Sequence, residues 1–289
     1  MVDTPSHYTA IAGTGAVAKT FARFFLAAGA RIGIVSREIA RAQRIAGEIP
    51  GVEALTYETL PDKISRVLIA VPDDAITAVA ARLIHANPQV AIHTSGNLGA
   101  EVLYPLNAHG TACGAMHPLQ TLTGDPEDLA ALRGVAFAVS GDQDAVAWAR
   151  SIVHAIGGEA LAISPECRAF YHAAAVMASN YVTALVDTSE FLFGEAGVAP
   201  DAARRILSPL LRKAVENTLT RGPVAALTGP IARGDLHTVA AHLQALSSVP
   251  GNIQQLYRAA GLRTLDIAER KGLAPERALD LYTLLQSSK

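Results

Sequence analysis

The chain has 289 residues, is 50% hydrophobic and only 17% charged, carries a formal net charge of −2 and holds two cysteines. A chain of this length buries a large core without cross-links, so one large domain or two ordinary ones are expected. Its apolar content and small net charge exclude intrinsic disorder, a disulfide scaffold and binding driven by nucleic-acid phosphates.

Taken in chain order, strand patterns are predicted at 8–12, 31–36, 66–71, 90–94, 112–116 and 135–140. Helical patterns alternate with the early strands at 16–28, 39–48 and 74–84, and another covers 143–156. Strands apolar on both faces, alternating with helices, predict a parallel sheet covered by helices. Beyond residue 163 the strand signals stop. Helical patterns occupy 166–193, 200–220, 236–246, 253–271 and 275–286, punctuated by Pro and Gly. The charge shifts as well: 1–163 carries 11 basic and 15 acidic residues, whereas 164–289 carries 13 and 11. The expected fold class is α/β, with a parallel-sheet domain at 1–163 followed by an all-α domain at 164–289.

Between the first strand and the first helix stands YTAIAGTGAVA at 8–18, a G-x-G-x-x-A pattern. Gly13 permits a tight turn, Gly15 lets backbone approach a pyrophosphate, and the small Ala18 lets helix and strand pack closely. The helix start adds free N–H groups and a positive dipole end. Gly13, Thr14, Gly15, Ala16 and Val17 are therefore expected to hold the pyrophosphate of a dinucleotide in a Rossmann sheet. An NAD site usually places an acid about 20 residues on, for the ribose hydroxyls. Here the second strand ends in Ser36 and Arg37. A hydroxyl and a guanidinium suit a 2′-phosphate, so NADP is expected over NAD. The plainer alternative is that Ser36 caps the next helix and Arg37 is merely solvated.

Ligands of an open α/β sheet lie outside the carboxyl ends of its strands. The strand at 66–71 ends in Val71, Pro72 and Asp73, expected along the nicotinamide ribose. The strand at 90–94 ends in Thr94, Ser95 and Gly96, small residues that let a ligand come close. The strand at 112–116 runs into His117, Pro118 and Gln120. A His held beside Pro can act as acid, base or polar anchor near neutral pH. Within 166–193, His172 and Ser179 are two helical turns apart on one face, with Asn180 at its flank. Polar groups amid apolar helix positions need partners, which a substrate cleft or a structural network supplies. Substrate is expected between His117 and this face, with Gln120 and Ser179 in contact. The nine His contain no H-x-x-x-H pair and the cysteines are far apart, so no metal site is predicted.

Four strings carry a resemblance: HTSGNLG at 93–99, MHPLQT at 116–121, YHAAAVMASN at 171–180 and ALTGPIARGD at 226–235. They resemble a bacterial family of Rossmann-like proteins with a C-terminal domain of unknown function, also described as proposed NADP oxidoreductases. The domain order is similar to the superfamily of 6-phosphogluconate dehydrogenase, β-hydroxyacid dehydrogenases, ketopantoate reductase and pyrroline-5-carboxylate reductase. The resemblance covers essentially the whole chain. It implies an NADP-binding domain at 1–163, a helical substrate and dimerisation domain at 164–289, and a homodimer.

The resemblance also reveals a departure. β-Hydroxyacid dehydrogenases carry a catalytic Lys about four residues before an Asn. If Asn180 matches that Asn, Val176 stands at the Lys position, and no Lys occurs between Lys63 and Lys213. Pyrroline-5-carboxylate reductases manage without that Lys on an imine. The expected reaction is hydride transfer between NADPH and a small carbonyl or imine compound. His117 or His172 would give the proton, with Asn180 beside them and Thr228 as a further substrate contact. Two alternatives stay open: a non-catalytic NADP-binding sensor or assembly protein, and an NADPH-dependent reductase of a flavin or deazaflavin. Neither nucleic acid nor membrane is an expected partner. Two free thiols fit a reducing compartment, so a cytoplasmic setting is expected. The sequence predicts neither a signal peptide nor a membrane span.

Overall fold

The computed structural model describes residues 8–62 and 64–287. They form two compact units, Met1–Asn180 and Tyr181–Lys289. The first unit holds β1 (Tyr8–Ala12), β2 (Arg31–Val35), β3 (Val52–Leu55), β4 (Arg66–Ile69), β5 (Val90–His93), β6 (Ala112–Pro118), β7 (Ala136–Gly141) and β8 (Glu159–Ala162). Its helices of seven or more residues are α1 (Ala16–Ala27), α2 (Ile39–Glu48), α3 (Ile76–Arg82), α4 (Gln143–Ile156) and α5 (Arg168–Ala178).

The strands make one sheet in the order β3-β2-β1-β4-β5-β6-β7-β8. All neighbours run parallel except β6 and β7. The chain moves outward from β1 to β3, then returns to place β4 on the other side of β1. That reversal opens a crevice above β1 and β4. Both sheet faces are covered, which is why the inner strands are apolar on consecutive residues. On one face Ile11, Ile34 and Leu68 pack with Phe21, Phe25 and Trp148 of α1 and α4. On the other, Ala10, Val67 and Ile69 pack with Ile76 and Leu83. This is the α/β architecture that the apolar pattern predicts. The expectations lacked β3 and β8, two four-residue strands too short to show a period.

The change of character near Ser164 marks the end of the last strand, while the compact unit runs on to Asn180. The single helix expected over 166–193 is broken. Ser179 leaves the helical region at φ −127° and ψ −77°, and α5 stops at Ala178. Its hydroxyl lies 2.7 Å from the Ala175 carbonyl, a back-bond that Ser189 also makes to Leu185 inside an unbroken helix. The two-turn spacing that would put Ser179 on the His172 face therefore fails at the residue itself.

From Asn180 the described chain is helical: α6 (Asn180–Glu195), α7 (Pro200–Arg221), α8 (Leu236–Ala245), α9 (Gly251–Lys271) and α10 (Pro275–Gln286), with two one-turn helices before α8. Ile231, Val239, Leu265, Ala268, Leu281 and Leu285 form the core of this second unit. Asp235 caps α8 by accepting from the Thr238 amide at 3.0 Å. α6 has no buried residue, and α7 has only Ala203. Among the described residues, no helix is long and apolar enough to cross a membrane.

Candidate active site

The carboxyl ends of β1, β2, β4, β5 and β6 border a cavity of about 920 Å³. Gly13, Thr14, Gly15, Ala16 and Val17 line its floor; Ser36 and Arg37 line one end. Val71, Pro72, Asp73, Thr94, Ser95 and Gly96 line the middle, and His117 and His172 the other end. All thirteen residues expected to bind the cofactor thus share one cavity with both candidate imidazoles. The residues bordering it do not include Gln120, Ser179, Asn180 or Thr228. The Gln120 side chain turns back on its own loop, donating to the Ala131 carbonyl and accepting from the Thr121 amide. Ser179 Oγ lies 2.9 Å from Asn180 Oδ1. Thr228 is exposed in the second unit, between its two one-turn helices.

Local geometry explains the floor. Gly13 has φ +136°, and a side chain there would meet the Ala70 carbonyl oxygen at 2.1 Å. Only glycine fits this turn. Gly15 precedes α1, where no side chain caps the helix and no acid stands in the first turn. Open space lies where a Gly15 side chain would be. Uncapped N–H groups facing open space suit an anionic group such as a pyrophosphate.

The end of β2 holds more cations than the sequence pattern indicates. Arg41 and Arg82 border the cavity with Arg37, and Tyr57 lies among them. Arg41 bonds Glu38 at 3.1 Å, and Arg82 approaches Glu58 at 3.8 Å. These pairs are exposed and weak, so a phosphate can compete for the guanidiniums. The Arg82 guanidinium also lies 5.0 Å from the centre of the Tyr57 ring. Arg37 makes no ion pair among the described residues. Ser36 Oγ accepts from the Glu38 amide at 3.4 Å, so its capping and binding readings coexist.

The middle of the cavity is a pinned loop. His93 is fully buried, accepts from the Ser95 amide through Nδ1 and faces the Gly99 carbonyl through Nε2 at 2.8 Å. An amide can only donate and a carbonyl only accept, so His93 carries its proton on Nε2 and is neutral. Burial pushes its pKa down, in keeping with that state. Ser95 Oγ donates to Asp73 Oδ2 at 2.9 Å and accepts from the Asn97 and Leu98 amides. The two strand ends are thereby tied together.

At the far end the His117 and His172 rings stand edge to face with centroids 5.9 Å apart. His117 Nδ1 lies 3.0 Å from the Tyr171 hydroxyl. A side chain at Gly96 would come within 2.6 Å of His172 Nδ1 and 2.9 Å of His117 Nε2, so both imidazoles crowd over this glycine. Burial, helped by the His172 and Arg168 charges, pushes the His117 pKa down to about 4. His117 is therefore neutral at pH 7. Arg168 lies just behind, 1% exposed, with Nη2 donating to Ser140 Oγ at 2.6 Å. Its Nε and Nη1, and Nδ1 of His172, are buried without hydrogen-bond partners. Sequence reasoning did not single out Arg41, Arg82, Tyr57 or Arg168.

Comparison with known families agrees with this architecture. Residues 5–118 match a Rossmann-like domain and residues 135–264 match a domain of unknown function, DUF2520. The chain is a Rossmann-like protein with a DUF2520 domain. Three solved structures are similar to it. Protein TM1727 from Thermotoga maritima is 27% identical, with a TM-score of 0.69 over 91% of this chain and 99% of that one. The proposed NADP oxidoreductase BF3122 from Bacteroides fragilis is 20% identical, with a TM-score of 0.75 over 91% and 98%. A 1-pyrroline-5-carboxylate reductase from Streptococcus pyogenes is 17% identical, with a TM-score of 0.59 over 96% of each chain. No curated protein matches the chain.

Proposed function

We propose that this Rossmann-like DUF2520 protein is an NADP-dependent oxidoreductase acting on a small carbonyl or imine compound. One observation carries the reading. A single cavity runs from three arginines, across an uncapped helix start, to two half-buried imidazoles. Ser36, Arg37, Arg41 and Arg82 would hold a 2′-phosphate, and Gly13–Val17 the pyrophosphate. Pro72, Asp73 and Thr94 would flank the nicotinamide ribose. NADPH supplies the hydride, and the protein supplies orientation and a proton. The fold shared with the Bacteroides and Streptococcus proteins supports this assignment.

The imidazole end favours catalysis over a nucleotide sensor, since a sensor has no need of titratable groups facing the cofactor's reactive end. We also infer a cytoplasmic homodimer formed through the helical unit. The two free thiols and the scarcity of buried residues on α6 and α7 support these readings.

The test has two arms. Titration should give at least tenfold tighter binding of NADPH than NADH, and Arg37→Ala should erase most of that preference. Equal affinity for the two would sink the NADP assignment. A panel of small carbonyls and imines should then consume NADPH. His117→Ala and His172→Ala should slow turnover while leaving NADPH affinity intact. Tight binding with no turnover on any member would favour the sensor.

A further inference from the structure

A neutral imidazole presents a difficulty for proton donation. The groups behind His117 answer it. Tyr171 Oη lies 3.0 Å from His117 Nδ1, with the rings edge to face and centroids 5.7 Å apart. A neutral imidazole has one bare nitrogen and the phenol has one O–H to give it, so the contact is satisfied with Tyr171 donating to Nδ1. In that arrangement the His117 ring proton sits on Nε2, the nitrogen that leans over Gly96 at the cavity wall. Arg168 is buried beside both groups. Its charge acts on His117 and Tyr171, and Nε and Nη1 have no hydrogen-bond partner. Among the described residues no carboxylate forms an ion pair with it. A fixed cation here disfavours an imidazolium, and it works against the burial that raises the Tyr171 pKa.

This inference rests on the reductase reading above. We propose that Tyr171 and His117 form a proton relay, with Arg168 as the fixed cation that receives its negative charge. When the substrate is reduced, the oxyanion or amide anion that develops on it would take the proton from His117 Nε2. The Nε2–H bond breaks while the Tyr171 O–H proton passes to Nδ1, so the imidazole stays neutral throughout. The remaining phenolate is held by Arg168 until solvent returns a proton. His117 is the catalytic residue, and Tyr171 and Arg168 position and drive its proton.

The test uses the full chain. Without cofactor or substrate, side-chain ¹⁵N spectra should show His117 protonated at Nε2 alone, and a mixture of tautomers in Tyr171→Phe. A proton on Nδ1 in the native protein, or an unchanged tautomer in the variant, overturns the relay. With NADPH and the active member of the carbonyl and imine panel, Tyr171→Phe should lower kcat roughly 100-fold with KM within about threefold. The proton inventory in mixed H₂O and D₂O should bow for the native protein and become linear in this variant. Native turnover in Tyr171→Phe, or a linear inventory in the native protein, rejects the relay while the reductase reading stands. No turnover by the native protein removes both, and the tautomer spectra still decide the hydrogen-bond direction. Arg168→Lys, which keeps the charge, should retain far more activity than Arg168→Met. Equal loss in two variants that both bind NADPH normally removes Arg168 from the relay.

Discussion

At the scale of single residues, the site depends on which groups fold into a neutral state. His117 loses its water on folding and ionises only near pH 4, against 6.5 for a free imidazole. The unfolded chain therefore takes up this proton first as pH falls. The contribution is fully present above pH 6.5 and drains away between 6.5 and about 4. His172 and Arg168 enlarge the shift, and Asp73 opposes it. His117→Gln should flatten this part of the stability profile by at most roughly 3 kcal/mol. Urea melts of both proteins at pH 7, 5.5 and 4 check it; parallel curves would contradict the buried neutral ring.

Residue by residue, the site was unevenly legible in the sequence. Gly13, Gly15, Pro72 and His117 announce themselves because their backbone chemistry is local: a turn, a strand stop, a restricted imidazole. Arg41 and Arg82 do not. Each sits on a helix with an ordinary charged pattern, and only the strand order brings them together. Arg168 is hidden for another reason. A charged residue at the start of an amphipathic helix is expected in water, and nothing local signals its burial.

At the scale of elements, the loop after β6 shows how tertiary bonding replaces periodicity. Asp128 is buried, accepting from Thr20 Oγ1 at 3.0 Å and from the Thr123 and Gly124 amides at 2.9 and 2.7 Å. Burial opposes the carboxylate, but these donors outweigh it and hold the pKa below the usual range. Arg23 reaches the Gly124 carbonyl from α1. The loop is thus fastened to the helix that begins at the cofactor floor. Asp128→Ala should cost about 3 kcal/mol, read from urea melts at pH 7, because several buried donors lose their acceptor at once. It should also weaken NADPH binding, since α1 loses its brace. A cost under about 1 kcal/mol would contradict this role.

At the scale of the whole molecule, sheet and helices follow from the hydrophobic pattern, because each strand and helix must bury a face. The helical portion carries an imbalance that pattern alone does not resolve. Leu185, Leu210 and Leu219 are exposed, the last at 81%. A second copy of the chain would cover such faces, and isologous dimers are the commonest assembly. Light scattering at micromolar concentration should give about twice the 30.1 kDa chain mass. A value near one chain mass would reject the dimer.

The strand order has a consequence for ligand length. Ser36 follows β2 and His117 lies on β6, and β1, β4 and β5 stand between them. Four strand spacings separate the two ends by about 19 Å. Gly13 lies against the Ala70 carbonyl on the floor between them. The sheet acts as a ruler: a ligand that meets both the arginines and the imidazoles must span that gauge.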